Sequence, residues 1–477
     1  MKFSRAILLT GLLWCAAQFV SAQPAVNESL ASKLQITLDA EFAAQRSTGF
    51  TAAISMPDGS IWLGTAGKSN PALNEDFRTD HRIGFASITK TFVAAAILQL
   101  VEEGVLTLDD RVDQWLPSMR FINPAITIRH MLNHQSGAFN FTNHGDLGSA
   151  AIADTSRYWT PEEIISSFLA QALYSPGQGS GYSNTNYILL GMILKAATGK
   201  EASTIFRERL LDPNQLADTY LGSEENATGD FVTTWVDLTG DGILDDNSAF
   251  YETPSFQSLR WTAGGMISTP ENIVRWSKLL FTGDILEPET RDQMATFLEI
   301  NGTGAVWTGY GLGIQEYNMA GATFWGHSGS TPGATSLMAY APDYDISVVV
   351  AANDNRANHV AMVSALFETA RASLLPTNSE EEIPVEPSVL TVHGVYPNPF
   401  ESRATITYEL LSSAPVSIRI FDVLGRELVS QHLSTQSPGY HQFTWNDQER
   451  EQAATGLYLY TIATDQEVHT GQIIRRR

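Results

Sequence analysis

Residues Gly84–Gly104 read GFASITKTFVAAAILQLVEEG. From Phe92 to Val101 every position except Gln99 is apolar. A helix that is apolar all round lies inside a core, not on its surface. Glu102-Glu103-Gly104 supplies a stop, with Gly104 suited to the left-handed residue that closes many helices. The other end fits a core less well. Ser87 and Lys90 are three apart, so on a helix they share a face in its first turn. Burying a lysine beside a hydroxyl is costly unless both are paired. One reading is a serine cap followed by an exposed lysine. The other is a nucleophile beside a base. A desolvated lysine gives up its proton readily, a serine next to a base is activated, and helix-start N–H groups favour negative charge.

Two distant stretches bear on that choice. Residues 176–194, PGQGSGYSNTNYILLGMIL, set Tyr182-Ser183-Asn184 between a glycine-rich loop and a helical apolar pattern. Residues 324–354, FWGHSGSTPGATSLMAYAPDYDISVVVAAND, set His327-Ser328-Gly329 on a strand-like run, with a further strand at Ile346–Ala351. Ser-x-x-Lys alone is a short and common pattern. Followed in order by Tyr-x-Asn and His-x-Gly, it resembles the penicillin-recognising serine hydrolases. These are the class C β-lactamases, D-alanyl-D-alanine carboxypeptidases, D-aminopeptidases and related esterases. RIGFASITKTFVAAAILQLVEEG and ITIRHMLNHQSG carry the likeness further, and it covers Ser32 to Ala370.

The resemblance implies an α+β fold, an antiparallel sheet with flanking helices beside a mostly helical lobe, with the site between them. It implies Ser87 as the acylated nucleophile and Lys90 as the group that takes or relays its proton. Tyr182 is the partner acid and base, and the sequence leaves open which of Lys90 and Tyr182 is the general base. Asn184 would bind the acyl side's amide and orient Lys90, and His327 would line the far wall. Backbone N–H groups of Ser87 and Ser330 would form an oxyanion hole, and Gly329 would let the backbone approach substrate. No metal or organic cofactor is required. The expected reaction is hydrolysis of an amide or ester bond, foremost as a D-alanyl-D-alanine carboxypeptidase-like peptidase. Esterase or weak β-lactamase activity is the alternative within the fold, and a penicillin-binding sensor with negligible turnover would keep the same motifs. Substrates would be small peptides, esters or β-lactams. Many β-lactamases carry lysine where His327 stands. Lysine offers a permanent charge and histidine at neutral pH mostly does not, which weighs against an efficient β-lactamase.

The remaining sequence frames this unit. Lys2 and Arg5 precede a mostly apolar Ala6–Val20, and Val20-Ser21-Ala22 is a small-residue cleavage site, so residues 1–22 read as a signal peptide. Cys15, the single cysteine, falls inside it, which removes thiol catalysis and Cys-held metals from the mature chain. No later apolar run reaches the ~20 residues of a membrane span. The net charge of −23 speaks against nucleic acid, whose phosphates need clustered Lys and Arg. Residues 24–375 make the hydrolase-like domain. PTNSEEEIPVEP opens an acidic, Pro-containing linker over 376–391.

Residues 392–477 alternate with period two, as in Ile406, Tyr408 and Leu410 or Val416, Ile418 and Ile420, and read as a small all-β sandwich. VYPNPF, ITYEL, IFDVLGREL and GLYLYTI resemble the C-terminal sorting domain of the type IX secretion system. That implies the type IX machinery as a partner and a secreted or cell-surface location, with the periplasm second. Two weaker patterns remain. His130 and His134 lie four apart without a third metal ligand near them in sequence. DLTGDGILDD places Asp237, Thr239, Asp241 and Asp245 like the opening of a calcium loop, but Ser248 stands where such a loop needs glutamate.

Overall fold

The computed structural model describes residues 24–299, 307–374, 389–422, 426–446 and 454–476. The expected signal peptide and most of the expected linker lie outside them. The chain divides between Leu375 and Pro376 into two compact units.

The first unit is built on one antiparallel sheet. Its strands are β1 (Gly49–Ser55), β2 (Ile61–Asn70), β3 (Glu75–Asp76), β4 (Leu298–Glu299), β5 (Trp307–Tyr310), β6 (Gln315–Met319), β7 (Ala322–Thr331), β8 (Ala334–Ala341) and β9 (Ile346–Ala352). They run in the order β3-β2-β1-β9-β8-β7-β6-β5-β4. The main helices are α1 (Glu28–Ala43), α2 (Thr89–Glu102), α3 (Asn184–Thr198), α4 (Pro254–Gly264), α5 (Pro270–Thr282) and α6 (His359–Ala372).

The central strands β1, β8 and β9 are buried at every position. A strand covered on both faces has no exposed polar side to show, so these read in the sequence as mostly apolar runs broken only by Ser and Thr. On one face Phe50, Ile54, Val348 and Val350 pack with Leu34 and Leu38 of α1 and Leu366 and Phe367 of α6. On the other, Ala53, Val349 and Met338 join the core that holds Ile273, Trp276 and Leu280 of α5 and the apolar side chains of α2 and α3. α2 buries every residue from Thr89 to Leu98, and Phe92 stacks on Trp276 with ring centroids 4.0 Å apart. Its end is as expected, with Gly104 at φ 71°. Its start differs: Ala86–Ile88 forms a separate 3-10 turn, and Ser87 sits in that turn.

The second unit has strands β10 (Leu390–Tyr396), β11 (Arg403–Leu410), β12 (Ala414–Asp422), β13 (Glu427–Gln436), β14 (Gly439–Asn446), β15 (Gly456–Ala463) and β16 (Val468–Arg475). They form two antiparallel sheets, β10-β11-β14 and β13-β12-β15-β16. Ile406, Tyr408, Phe443 and Trp445 of one sheet share a core with Ile418, Ile420, Tyr460 and Ile462 of the other. Leu390 and Thr391, read from sequence as linker, already belong to the first strand, because Leu390 is buried and pairs with Leu410.

Candidate active site

Ser87 is held out of the core by a bent backbone. Ala86 takes φ 49°, the left-handed region that costs an L residue about 1 kcal/mol. Neighbouring bonds hold the turn: Phe85 O accepts from Ser336 Oγ at 3.0 Å, and Thr89 Oγ1 donates to Ala86 O at 2.6 Å. β7 presses against the same turn. A Cβ on Gly329 would stand 2.3 Å from Phe85 O and 2.4 Å from Ser336 Oγ. The glycine is therefore required for packing of the strand on the Ser87 turn, a neighbour different from the substrate expected there.

Lys90 is fully buried one turn on. Its Nζ lies 3.0 Å from Ser87 Oγ, 2.8 Å from Asn184 Oδ1 and 2.6 Å from Ala263 O. Burial drives its pKa well below the ordinary lysine value. Asn184 opens α3, and its amide is oriented by Nδ2 donating to Thr142 Oγ1 at 3.3 Å. Ala263 reaches Lys90 because α4 breaks at Trp261, which has φ 28° and ψ −127°. Trp261 Nε1 is fastened to Glu224 Oε1 at 2.5 Å.

Tyr182 precedes α3, with its ring centroid 5.0 Å from Lys90 Nζ. Burial raises its phenol pKa above the usual value, and a hydrogen bond with Ser87 opposes part of that rise. His134 backs it, with centroids 4.3 Å apart. His134 Nδ1 accepts from Ser183 N at 3.2 Å and meets Asn186 Nδ2 at 3.1 Å. Burial, then Lys90 and His327, keep His134 well below its ordinary pKa and so neutral. His130 does something else: its Nδ1 accepts from Thr127 N at 3.2 Å at a helix start.

His327 is fully buried. Its Nδ1 lies 2.6 Å from Ser328 O and its Nε2 2.9 Å from Tyr310 Oη. A carbonyl only accepts, so Nδ1 carries the proton and Nε2 accepts from the tyrosine. Burial, then the nearby Lys90, lower its pKa to about 3. The far wall expected of His327 is lined instead by Ser330, Thr331 and Pro332. Behind that wall, His327 and Tyr310 pack toward Tyr182, with centroids 6.2 Å from its ring.

The cavity beside Ser87 has a volume of about 420 Å³ and is lined mainly by apolar side chains, with Asn184, Thr142 and Ser330 near Ser87 among its polar groups. A second cavity of about 300 Å³, bordered by Arg82, Glu225 and Gln257, contains neither Ser87 nor Lys90. The acidic loop bonds to itself. Asp237 accepts from Gly240 N and Gly242 N at 2.6 and 2.9 Å, and Asp245 from Leu238 N at 3.0 Å. No group of three or more His, Cys, Asp or Glu is placed to hold a metal among the described residues. No helix among them is long and apolar enough to cross a membrane.

Sequence reading missed Ala263, the Ala86 and Trp261 conformations, and His134 as the support of Tyr182. The first three are backbone features that no side-chain motif announces. His134 was in view, but only as a possible metal ligand paired with His130.

The Beta-lactamase family model matches residues 36–370, and the model for the secretion system C-terminal sorting domain matches residues 394–476. Penicillin-binding protein 4* of Bacillus subtilis is 24% identical over 58% of this chain and 61% of its own length. A D-aminopeptidase of Cereibacter sphaeroides is 25% identical over 64% of this chain and 56% of its own length. The chain thus spans less than two thirds of these curated relatives. The crystal structure of D-amino acid amidase from Ochrobactrum anthropi complexed with D-phenylalanine superposes with a TM-score of 0.66 and 26% identity, over 72% of this chain and 99% of that one. The chain belongs to the Beta-lactamase family and carries a secretion system C-terminal sorting domain.

Proposed function

We propose that this protein is a serine hydrolase that cleaves an amide or ester bond through an acyl-enzyme on Ser87. The observation that carries the reading is the setting of Lys90 Nζ between Ala263 O, Asn184 Oδ1 and Ser87 Oγ. A neutral amine has two protons and one lone pair. Two of its neighbours here are carbonyl oxygens that only accept, so they take the two protons and the lone pair faces the Ser87 hydroxyl. Burial supports that neutral state. It also keeps Tyr182 a phenol, which makes Lys90 the general base and Tyr182 the acid.

Ser87 Oγ attacks the substrate carbonyl carbon while Lys90 takes its proton. The oxyanion collects on the backbone N–H groups of Ser87 and Ser330. As the carbonyl re-forms, the leaving nitrogen or oxygen departs with a proton from Tyr182, which regains one from Lys90. Water then attacks the ester of Ser87 by the same steps in reverse and releases the acid. His327 stays neutral and buried, so the third motif brings no fixed charge to a leaving-group carboxylate. That favours uncharged leaving groups, as in simple amides, esters and D-amino acid amides, over the carboxypeptidase reading. The D-aminopeptidase and D-amino acid amidase among the relatives support the same side. The sorting domain supports export by the type IX machinery.

The test is turnover of a D-amino acid amide, a D-Ala-D-Ala peptide, a penicillin and a short-chain p-nitrophenyl ester by wild type and Ser87→Ala. Loss of about a thousandfold or more in the variant is expected. Equal rates would overturn the assignment, and a burst of acylation without later turnover would point to a sensor.

A further inference from the structure

The cavity beside Ser87 is also lined by Phe256, Leu259 and Arg260 of α4 and by Phe141, Phe250 and Ile152. Arg260 is the one charged residue among those lining it. It is 8% exposed, and its guanidinium lies 4.5 Å from the ring centroids of both Tyr251 and Phe256. Nη1 donates to Tyr251 Oη at 3.0 Å and Nε to Phe256 O at 3.4 Å. Nη2 is buried with no hydrogen-bond partner, and no carboxylate pairs with this guanidinium among the described residues.

A guanidinium cannot shed its charge as Lys90 can. Two aromatic faces offset part of the desolvation, but a buried cation without a counter-ion stays costly. Such a cost is recovered when a ligand brings the missing anion, and a carboxylate fits the donor fork. The surroundings limit what carries that anion. The cavity that both Ser87 and Arg260 line is largely apolar, so the rest of the ligand is apolar as well.

We propose that Arg260 is a specificity-determining residue that receives a carboxylate at the far end of the substrate's acyl group, joined to the scissile carbonyl by an apolar stem. Placing the anion on the acyl side takes Asn184, which borders the same cavity, in the acyl-binding role that goes with the Ser87 reading, so the inference rests on that reading. An amine at the Arg260 end of the acyl group would place two cations together and is disfavoured.

A matched pair of p-nitrophenyl esters tests this, the monoester of adipic acid and the hexanoate. Wild type should show kcat/KM for the adipate ester above that for hexanoate by about tenfold or more, carried mainly by KM. Arg260→Gln should erase the preference and leave hexanoate within about threefold, and Arg260→Lys should restore part of it. Equal wild-type rates on the two esters would overturn the proposal, and that comparison needs no folded variant. A preference that survives Arg260→Gln would overturn it too. If Ser87→Ala hydrolyses both esters, or wild type neither, the hydrolase reading fails instead. Binding of free adipate against hexanoate, by wild type and Arg260→Gln, then reads the Arg260 site alone, and equal affinities would sink it.

Discussion

The two walls of the cavity use their motif residues in opposite ways. On the helix wall, the side chain of Lys90 meets those of Ser87 and Asn184 directly. On the strand wall, the side chain of His327 is turned into the core, and Gly329 is needed for packing on the Ser87 turn. What borders the cavity there is Ser330–Pro332, past the motif. Alternate residues of a strand point to opposite faces, so His327 and Gly329 share the inward face. Motif side chains thus face the cavity side by side on one wall and pack behind it on the other.

Breaking the helix wall should have the larger effect. Lys90→Met keeps the length and loses the lone pair, and kcat is expected to fall by about a thousandfold. Retained activity would remove Lys90 from the base role. In wild type, kcat/KM should rise with pH through a Lys90 pKa well below the ordinary lysine value. A rate that climbs only near the ordinary lysine value would contradict a neutral amine.

Breaking the strand wall should act through position. Gly329→Ala drives a methyl onto Phe85 O and must displace the Ser87 turn. A drop of about a hundredfold in kcat, with a cooperative melting transition retained, is expected. Unchanged kcat would show that the turn tolerates the shift.

The smallest effect on rate belongs to His327. Its folded pKa of about 3 lies below the ordinary 6.5, so the unfolded chain binds more protons in that window. The stability from a neutral His327 is therefore full above the unfolded value and declines as pH falls toward about 3. His327→Gln should flatten that acid decline in a denaturant titration while changing kcat near neutral pH by less than about tenfold. An equally steep decline in the variant would assign the loss to other groups, His134 first among them.

The fold was legible where burial imposes a simple pattern. The all-apolar run of α2 and the alternation of β11 and β12 each admit one arrangement. The site was legible as far as side chains go: the structure brings Ser87, Lys90, Tyr182 and Asn184 together across about a hundred residues of sequence. What could not be read is what orders them. The carbonyl of Ala263 has no residue-type signature, and no residue pattern announces the strained backbone at Ala86 and Trp261. Arg260 looks like any surface arginine until α4 is seen to bury it. Tertiary packing decides these features, and no local pattern encodes it.

The central claim is a covalent one, so the most direct measurement is the intact mass of the protein mixed with a slowly turned-over ester or amide, followed by peptide mapping. The expected result is one added acyl group on Ser87 that disappears as product forms, and none on Ser87→Ala. Steady turnover with no adduct on wild type, or the same adduct on Ser87→Ala, would contradict the account.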